Sequence, residues 1–321
     1  MIDYKNNLIL VTGGAGFIGS HLVEEFVRRG ATVTVVDNLS TGYRKNLAVV
    51  ADRVDLREID MVQDDLRPLL KEKKFDLIVH TVANANVPAS VEDPKMDFEK
   101  NAVATFNLLE AMRECSSQTR ILHTSSAAVY GEGSETPTRE DFMTVPVAPY
   151  GVSKLASENY MSVYAMLYGL RTATLRLFPV FGERLRKQVV YDLMSKINHN
   201  SDELFIQGDG HQVRDFNHVA NVVEAYFMVA EHGELLGETY NVASDETTTI
   251  RELAERICER MQVNPRFVFG GEARAGDMRR LHADVTRLKN LGFQPRVSFA
   301  DGLDTTVAWF REEVKMMAVT V

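Results

Sequence analysis

The 321-residue sequence holds only two cysteines, Cys115 and Cys258, and neither has Cys or His companions at metal-ligand spacing. A disulfide scaffold is excluded, and a structural zinc site has no ligand set to use. Positive charge is also scarce: 36 Lys+Arg stand against 45 Asp+Glu, a formal net charge of −9, and no basic run breaks that balance. Nucleic acid is therefore not an expected partner. Long apolar runs are missing too. The first, Leu8 to Val11, stops at a glycine cluster, far short of the ~20 residues of a membrane helix, so no membrane or secretory segment is expected and a reduced, cytoplasmic setting fits. Internal repeats, low-complexity tracts and flexible linkers are absent as well. What is present is an ordinary globular composition, 45% hydrophobic and 25% charged, with length enough for a large core.

The first half alternates short β-branched runs with amphipathic stretches. Leu8–Thr12, Thr32–Val36, Val54–Glu58, Leu77–His80, Ile121–Thr124 and Thr172–Leu177 read as buried strands, and Ile18-Leu22-Phe26 and Phe98-Ala102-Leu109-Met112 carry helical spacing. That alternation predicts an α/β fold, a Rossmann-type doubly wound parallel sheet. It occupies residues 1–177, with later segments near 212–245 returning to it. Past residue 178 the pattern loosens into Gly-rich loops and helical stretches near 186–198, 218–232, 249–261 and 300–318. Residues 178–321 are thus expected to form mainly a smaller, mixed α/β lobe. A ligand belongs in the cleft between the two, at the carboxyl ends of the strands.

Gly13, Gly16 and Gly19 fall where the first strand should meet the first helix. Glycine suits this turn because it must be tight, must let backbone approach a pyrophosphate, and must bring helix and strand close together. Asp37 ends the second strand, where a carboxylate can accept from adenosine ribose hydroxyls and repel a 2′-phosphate. NAD is therefore expected over NADP. Asp60, after the third strand, reads equally well as an acceptor for the adenine amino group or as a helix cap.

Tyr150-Gly151-Val152-Ser153-Lys154 places a phenol and an ammonium one helical turn apart. The lysine charge is expected to pull the phenol toward neutrality and make it a general base. His123-Thr124-Ser125-Ser126 runs off a predicted central strand and brings hydroxyls to the edge of the sheet. His80, His211 and His218 read as packed, loop and cap residues, Arg279 and Arg280 as surface charges, and the 13 methionines as core filler.

With these motifs in this order, the chain resembles the extended short-chain dehydrogenase/reductase family over nearly its whole length, in the nucleotide-sugar epimerase and dehydratase group typified by UDP-glucose 4-epimerases. The matching stretches include Thr12–Gly19, Val36–Gly42, Ile78–Ser90, Asn101, Thr124–Gly131, Tyr150–Lys154, Arg176–Gly182, Gly208–Phe216 and Arg274–Asp277. The resemblance implies Tyr150 as base, Lys154 as the residue that tunes it and holds the nicotinamide ribose, and Ser126 as a sugar-hydroxyl partner. It implies cofactor contacts from Gly13, Gly16, Phe17, Ile18, Gly19, Asp37, Asn38, Asp60, Met61, Val82, Ala83, Asn101, Tyr150, Lys154 and Phe178. Arg214 and Arg274 would grip a diphosphate, and Asp277 a nucleotide ribose. No metal is implied.

Dehydratases of the family carry Asp and Glu directly after the catalytic hydroxyl residue, decarboxylases a Glu two residues after it, and the enzymes that make GDP-fucose a Cys there. This chain has Ala127 and Ala128. The expectation is therefore 4-epimerisation of a nucleotide sugar through a 4-keto intermediate. A reductase or dehydratase of the same family, or a non-catalytic NAD-binding protein, are the alternatives. Three departures stand out: Pro179 replaces an Asn whose amide meets the diphosphate, Val82 replaces an alanine beside the cofactor, and Leu281 occupies a position that sorts N-acetylated sugars. The family's dimers pair two helices per subunit, here about 93–114 and 150–168. Met161, Tyr164, Leu167 and Tyr168 supply the apolar surface for an expected homodimer.

Overall fold

The computed structural model describes residues 4–132, 136–271 and 278–319, with side chains to residue 316. Strand and helix alternate from the start: β1 (Leu8–Thr12), α1 (Phe17–Arg28), β2 (Thr32–Val36), β3 (Val54–Arg57), α2 (Arg67–Glu72), β4 (Leu77–His80), α3 (Val87–Glu92), α4 (Pro94–Phe98), α5 (Ala104–Cys115), β5 (Arg120–Ser126), α6 (Pro149–Tyr168) and β6 (Arg171–Leu177). A seventh strand, Leu236–Val242, pairs in parallel with β6. The sheet order is Leu236–Val242, β6, β5, β4, β1, β2, β3, every pair parallel. The order reverses between β1 and β4, and such a reversal opens a crevice at the carboxyl ends of the strands.

The strands read as continuous apolar runs because both sheet faces are covered. Successive side chains alternate between layers. Val11, Val79 and Leu122 pack with Leu22, Val23 and Phe26 of α1 and with Tyr226 and Phe227 of the helix Val219–His232. Leu10, Ile78 and Ile121 point the other way, against Leu108, Leu109 and Met112 of α5 and Met161 and Tyr164 of α6. A second core in the smaller lobe joins the helices Gln188–His199, Ile250–Met261 and Phe299–Val319 with the parallel strands Glu203–Ile206 and Arg266–Phe269.

Several boundaries differ from the periodicity reading. β5 runs on to Ser126, so the serine is the strand's last residue rather than part of a following turn. The stretch read as one helix over Phe98–Met112 is broken by a π-helical turn at Glu99–Val103 between α4 and α5. The segment 212–245 divides: Val219–His232 and Leu236–Val242 join the large sheet layer, whereas Val213–Asp215 pairs with Thr247–Thr249 and Arg280–Leu281. Among the described residues, no helix is long and apolar enough to cross a membrane and no cluster of metal-ligating side chains occurs.

Candidate active site

β1 hands over to α1 through a turn that tolerates little besides glycine. Gly13 has φ +73°, and a Cβ there would lie 2.8 Å from the Val82 nitrogen and 2.9 Å from the Thr81 carbonyl carbon. A Cβ on Gly19 would run into the Gly13 carbonyl. Gly16 caps α1 without a side chain, which leaves the helix N-terminus facing the cleft, the geometry that receives a phosphate.

Phe17, Ile18, Asn38, Met61, Val82, Ala83 and Phe178 line the same cleft. Its volume is about 1280 Å³, larger than the ~300–1,000 Å³ typical of a single small ligand. Val82 is partly buried and also packs against the α5–α6 core layer. Asp37 is buried at the end of β2, where Oδ2 accepts from Ala15 N at 2.9 Å and Oδ1 from Leu39 N at 2.8 Å. Burial nevertheless holds its carboxyl above the ordinary value. Asp60 lines the cleft and is held by its own turn and by Asn38. Its Oδ1 accepts from Val62 N at 2.9 Å within its own turn, while Oδ2 accepts from Asn38 Nδ2 at 2.9 Å.

α6 begins with Pro149 and ends at Gly169 (φ +68°), where Gly169 N and Leu170 N return to the Ala165 and Tyr164 carbonyls. Tyr150 is therefore in its first turn and Lys154 one turn later. Gly151 sits between them against the turn after β5: a Cβ there would strike the Ala128 carbonyl and lie 2.7 Å from Pro146 Cβ. This close approach brings Tyr150 into hydrogen bonding with the Ser126 side chain. The Lys154 Nζ donates to the Thr124 carbonyl at 2.8 Å. Here the sequence expectation needs correction. Burial raises the Tyr150 phenol to about 12 despite the Ser126 hydrogen bond, and Lys154 is itself lowered to about 8 by burial. Desolvation dominates at the phenol, and the lysine ammonium is directed at a carbonyl.

Asn101 lies in the π-turn, buried and set back from the cleft surface. Its Nδ2 donates to Asp97 Oδ1 at 3.0 Å and Ser153 Oγ at 2.9 Å, and its Oδ1 accepts from Asn84 N at 2.8 Å. It anchors the cofactor-facing loop through Asn84. Asp97, Ser153 and Asn84 went unnoticed in the sequence, because no local pattern marks residues whose partners lie on other elements. His80 is a packed, hydrogen-bonded residue as expected: Nδ1 meets Thr12 Oγ1 at 2.7 Å and Nε2 meets Thr105 Oγ1 at 3.0 Å. Burial lowers it to about 3, which keeps it neutral.

From the smaller lobe, Arg214 reaches the cleft, nearly buried, with Nη1 donating to the Val213 carbonyl at 2.9 Å. Arg274 and Asp277 lie outside the described residues. Pro179 and Leu281 both line the cleft. Of the four residues expected to build an apolar exterior, Met161 and Tyr164 are buried in the core, whereas Leu167 and Tyr168 are exposed. They continue an apolar stripe through Val152, Tyr160, Val163 and Met166, beside Phe98 and Phe106.

Comparison with known proteins agrees with this architecture. The family model described as GDP-mannose 4,6 dehydratase matches residues 10–306. The chain is 36% identical over 311 residues to UDP-glucose 4-epimerase of Mycolicibacterium smegmatis, covering 95% of this chain and 98% of that one. It is similar in structure to the UDP-glucose 4-epimerase of Thermotoga maritima solved with UDP-glucose (TM-score 0.89, 32% identity, 96% of this chain and 99% of that one). It is also similar to the dTDP-glucose 4,6-dehydratase of Streptomyces venezuelae solved with NAD (TM-score 0.87, 30% identity, 96% and 98%). Relatives with epimerase, dehydratase and decarboxylase names all occur at comparable identity. The chain thus belongs to the GDP-mannose 4,6 dehydratase family of extended short-chain dehydrogenase/reductases, the nucleotide-sugar epimerases, dehydratases and decarboxylases.

Proposed function

We propose that this protein is an NAD-dependent nucleotide-sugar epimerase acting at C4. The cleft fits the cofactor: the glycine turn leaves no room for a Cβ, the α1 N-terminus is open for a pyrophosphate, and Asp37 waits at the ribose end. Gly13, Gly16 and Gly19 would hold the pyrophosphate, Asp37 the adenosine ribose and Lys154 the nicotinamide ribose. When bound, NAD supplies a hydride acceptor that can return what it takes.

The observation that carries the reaction class is that, among the described residues, no carboxylate lines the cleft beside Ser126 and Tyr150. Among the described residues, the carboxylates lining the cleft are Asp37, Asp60, Glu99 and Asp192. The first two stand at the ribose end, Glu99 pairs with Lys95 and Asp192 with Lys196. The positions after Ser126 are Ala127 and Ala128, both facing the cleft. Elimination needs such a carboxylate to move its protons. In this reading Tyr150, its phenol lowered by the positive ring of an oxidised nicotinamide, accepts the proton of the sugar 4-hydroxyl, Ser126 orients that hydroxyl, and Arg214, with Arg274, holds the diphosphate. Pro179 has no N–H or amide to offer there, so the guanidinium carries more of the grip. The 4-keto sugar then turns over within the wide cleft while its nucleotide stays held.

The test is a panel of nucleotide sugars supplied without added cofactor. Two products of identical mass should interconvert with no build-up of reduced-nicotinamide absorbance, and deuterium at the reacting carbon should remain there. Loss of water or carbon dioxide, or stoichiometric use of NADH, would assign the chain to another branch of the family. The same reading takes the protein as a cytoplasmic homodimer, with α6 and the helical segment around α5 meeting their counterparts through the exposed stripe of Tyr160, Met166, Leu167 and Phe106.

A further inference from the structure

Lys154 is 1% exposed, and its one hydrogen-bond acceptor is a neutral carbonyl, Thr124 O. Among the described residues no carboxylate pairs with it directly. Asp97, on α4, is buried to 0%. Its Oδ1 accepts from Asn84 Nδ2 at 2.9 Å and Asn101 Nδ2 at 3.0 Å, and its Oδ2 from Ser153 Oγ at 2.7 Å. All three donors are neutral. An ion withdrawn from water without compensation gives up its charge or destabilises the fold. Here Lys154 has one neutral acceptor and Asp97 three neutral donors, one of them Ser153, the residue adjacent to Lys154, so hydrogen bonds but no contact ion pair offset the two charges among the described residues. The other buried carboxylate of α6, Glu158, is committed to Arg176 through contacts of 2.7 and 3.1 Å.

We propose that Asp97 is a positioning residue for the Tyr150–Lys154 pair: it is the buried counter-charge that keeps Lys154 an ammonium, and through Asn84 and Ser153 it ties the cofactor-facing loop after β4 to α6. The inference deepens the functional reading and rests on it only for its activity measurement. Asp97 contributes a favourable field at Lys154 and an unfavourable one at the Tyr150 phenolate. Asp97 and Glu158 both act favourably at Lys154, Asp97 the more strongly, and Asp97 is the one of the two without a cationic partner in contact among the described residues. Glu158, from α6, is paired with Arg176 of β6. From β4 and β5 come His80 and His123, both held neutral by burial. Lys95 of α4 pairs with Glu99 of the π-turn. Lys100 of that turn faces the cleft, and Glu92 of α3 is exposed.

Asp97→Asn keeps the shape, and its hydrogen bonds can be remade by turning the Ser153 hydroxyl toward the Tyr150 carbonyl, already 3.0 Å away. The experiment is a double-mutant cycle on the thermal midpoint of the NAD-saturated protein, without substrate. Asp97→Asn should lower the midpoint by on the order of 5 °C in the wild-type background and leave it unchanged or raised in the Lys154→Met background. Equal losses in both backgrounds would overturn the proposal. Should Asp97→Asn not fold, rescue by the added Lys154→Met supports the pairing and failure to rescue refutes it. The second readout is the pH–rate profile. Asp97→Asn should move the alkaline limb to lower pH, whereas Ser153→Ala, which removes a hydrogen bond and keeps the charge, should lower the rate with the limb in place. A limb unmoved by Asp97→Asn would also overturn it. Because the cycle uses no substrate, failure of the epimerase reading would leave its result intact.

Discussion

The two walls of the cleft are built on different principles. On the sheet side, shape is made by backbone and by polar groups already bonded to one another: Asp37 to two main-chain N–H groups, Asn38 to Asp60, Thr12 to His80 to Thr105. On the smaller lobe's side the cleft meets cations, and several are braced across the molecule, Arg184 to Glu24 of α1 and Arg186 to Glu313 of the helix Phe299–Val319. A pre-bonded wall presents one geometry to any ligand. A wall of charges sets how tightly an anion is held. In the proposed reading, chemistry and cofactor selection belong to the first wall and substrate affinity to the second.

The sharpest way to break this division is Tyr150→Phe, which should lower turnover at least ~100-fold while NAD binding, measured by calorimetry, persists. Retention of near-wild-type rate would remove Tyr150 from the base role. Arg214→Ala should instead raise KM for the nucleotide sugar roughly 10- to 100-fold, the scale of a lost charge-assisted hydrogen bond, with a smaller change in kcat. An effect confined to kcat would contradict the assignment of grip to the second wall. Gly13→Ala must place a side chain at φ +73° against the backbone of Thr81 and Val82. NAD affinity should fall at least about tenfold from the left-handed strain alone, and an unaltered affinity would show that the turn relaxes freely.

A pH series sharpens the comparison further. Lys154 titrates near 8 in the folded protein against a usual 10.5, so activity that needs its ammonium should fall about tenfold per pH unit above about 8. Stability moves the other way. The unfolded chain binds the proton more tightly between about 8 and 10.5, so the burial penalty of Lys154 disappears and unfolding becomes harder as pH rises through that window. The smallest effect is expected outside the cleft. Met166→Asp, at a position 73% exposed, should leave stability within about 0.5 kcal/mol and turnover little changed, yet shift sedimentation from dimer toward monomer. A wild-type protein that sediments as a monomer at micromolar concentration would refute the dimer itself.

Much of the sheet-side wall was legible in the chain because its requirements are local. A tight turn between strand and helix needs glycines in consecutive turns of backbone, and a phenol and an ammonium on one helical face need a spacing of four. Strand limits were off by one or two residues where a polar side chain at a strand end, such as Ser126, carries no periodic signal. The π-turn at Glu99–Val103 was hidden because apolar spacing continues across it. The bonds of the Asn101 amide to Asp97 and Ser153 carried no signal in the sequence, because both partners lie on other elements. Met161 and Tyr164 were read as surface because helical periodicity does not say which of two apolar faces meets the sheet.

Composition, glycine spacing, the Tyr150–Lys154 turn and the two alanines after Ser126 are properties of neighbouring residues. They were sufficient for the fold and the cofactor class, and they supplied the residues proposed for the reaction. Electrostatics was not contained in them. A phenol raised to about 12 and a lysine lowered to about 8 follow from burial, and burial exists only once α4, α6 and the sheet are packed together. The same holds for the meeting of Asn84, Asp97, Asn101 and Ser153, which stand on a loop, two helices and a π-turn. Chain order could place each of them, but the energy of a charge depends on everything that surrounds it in space.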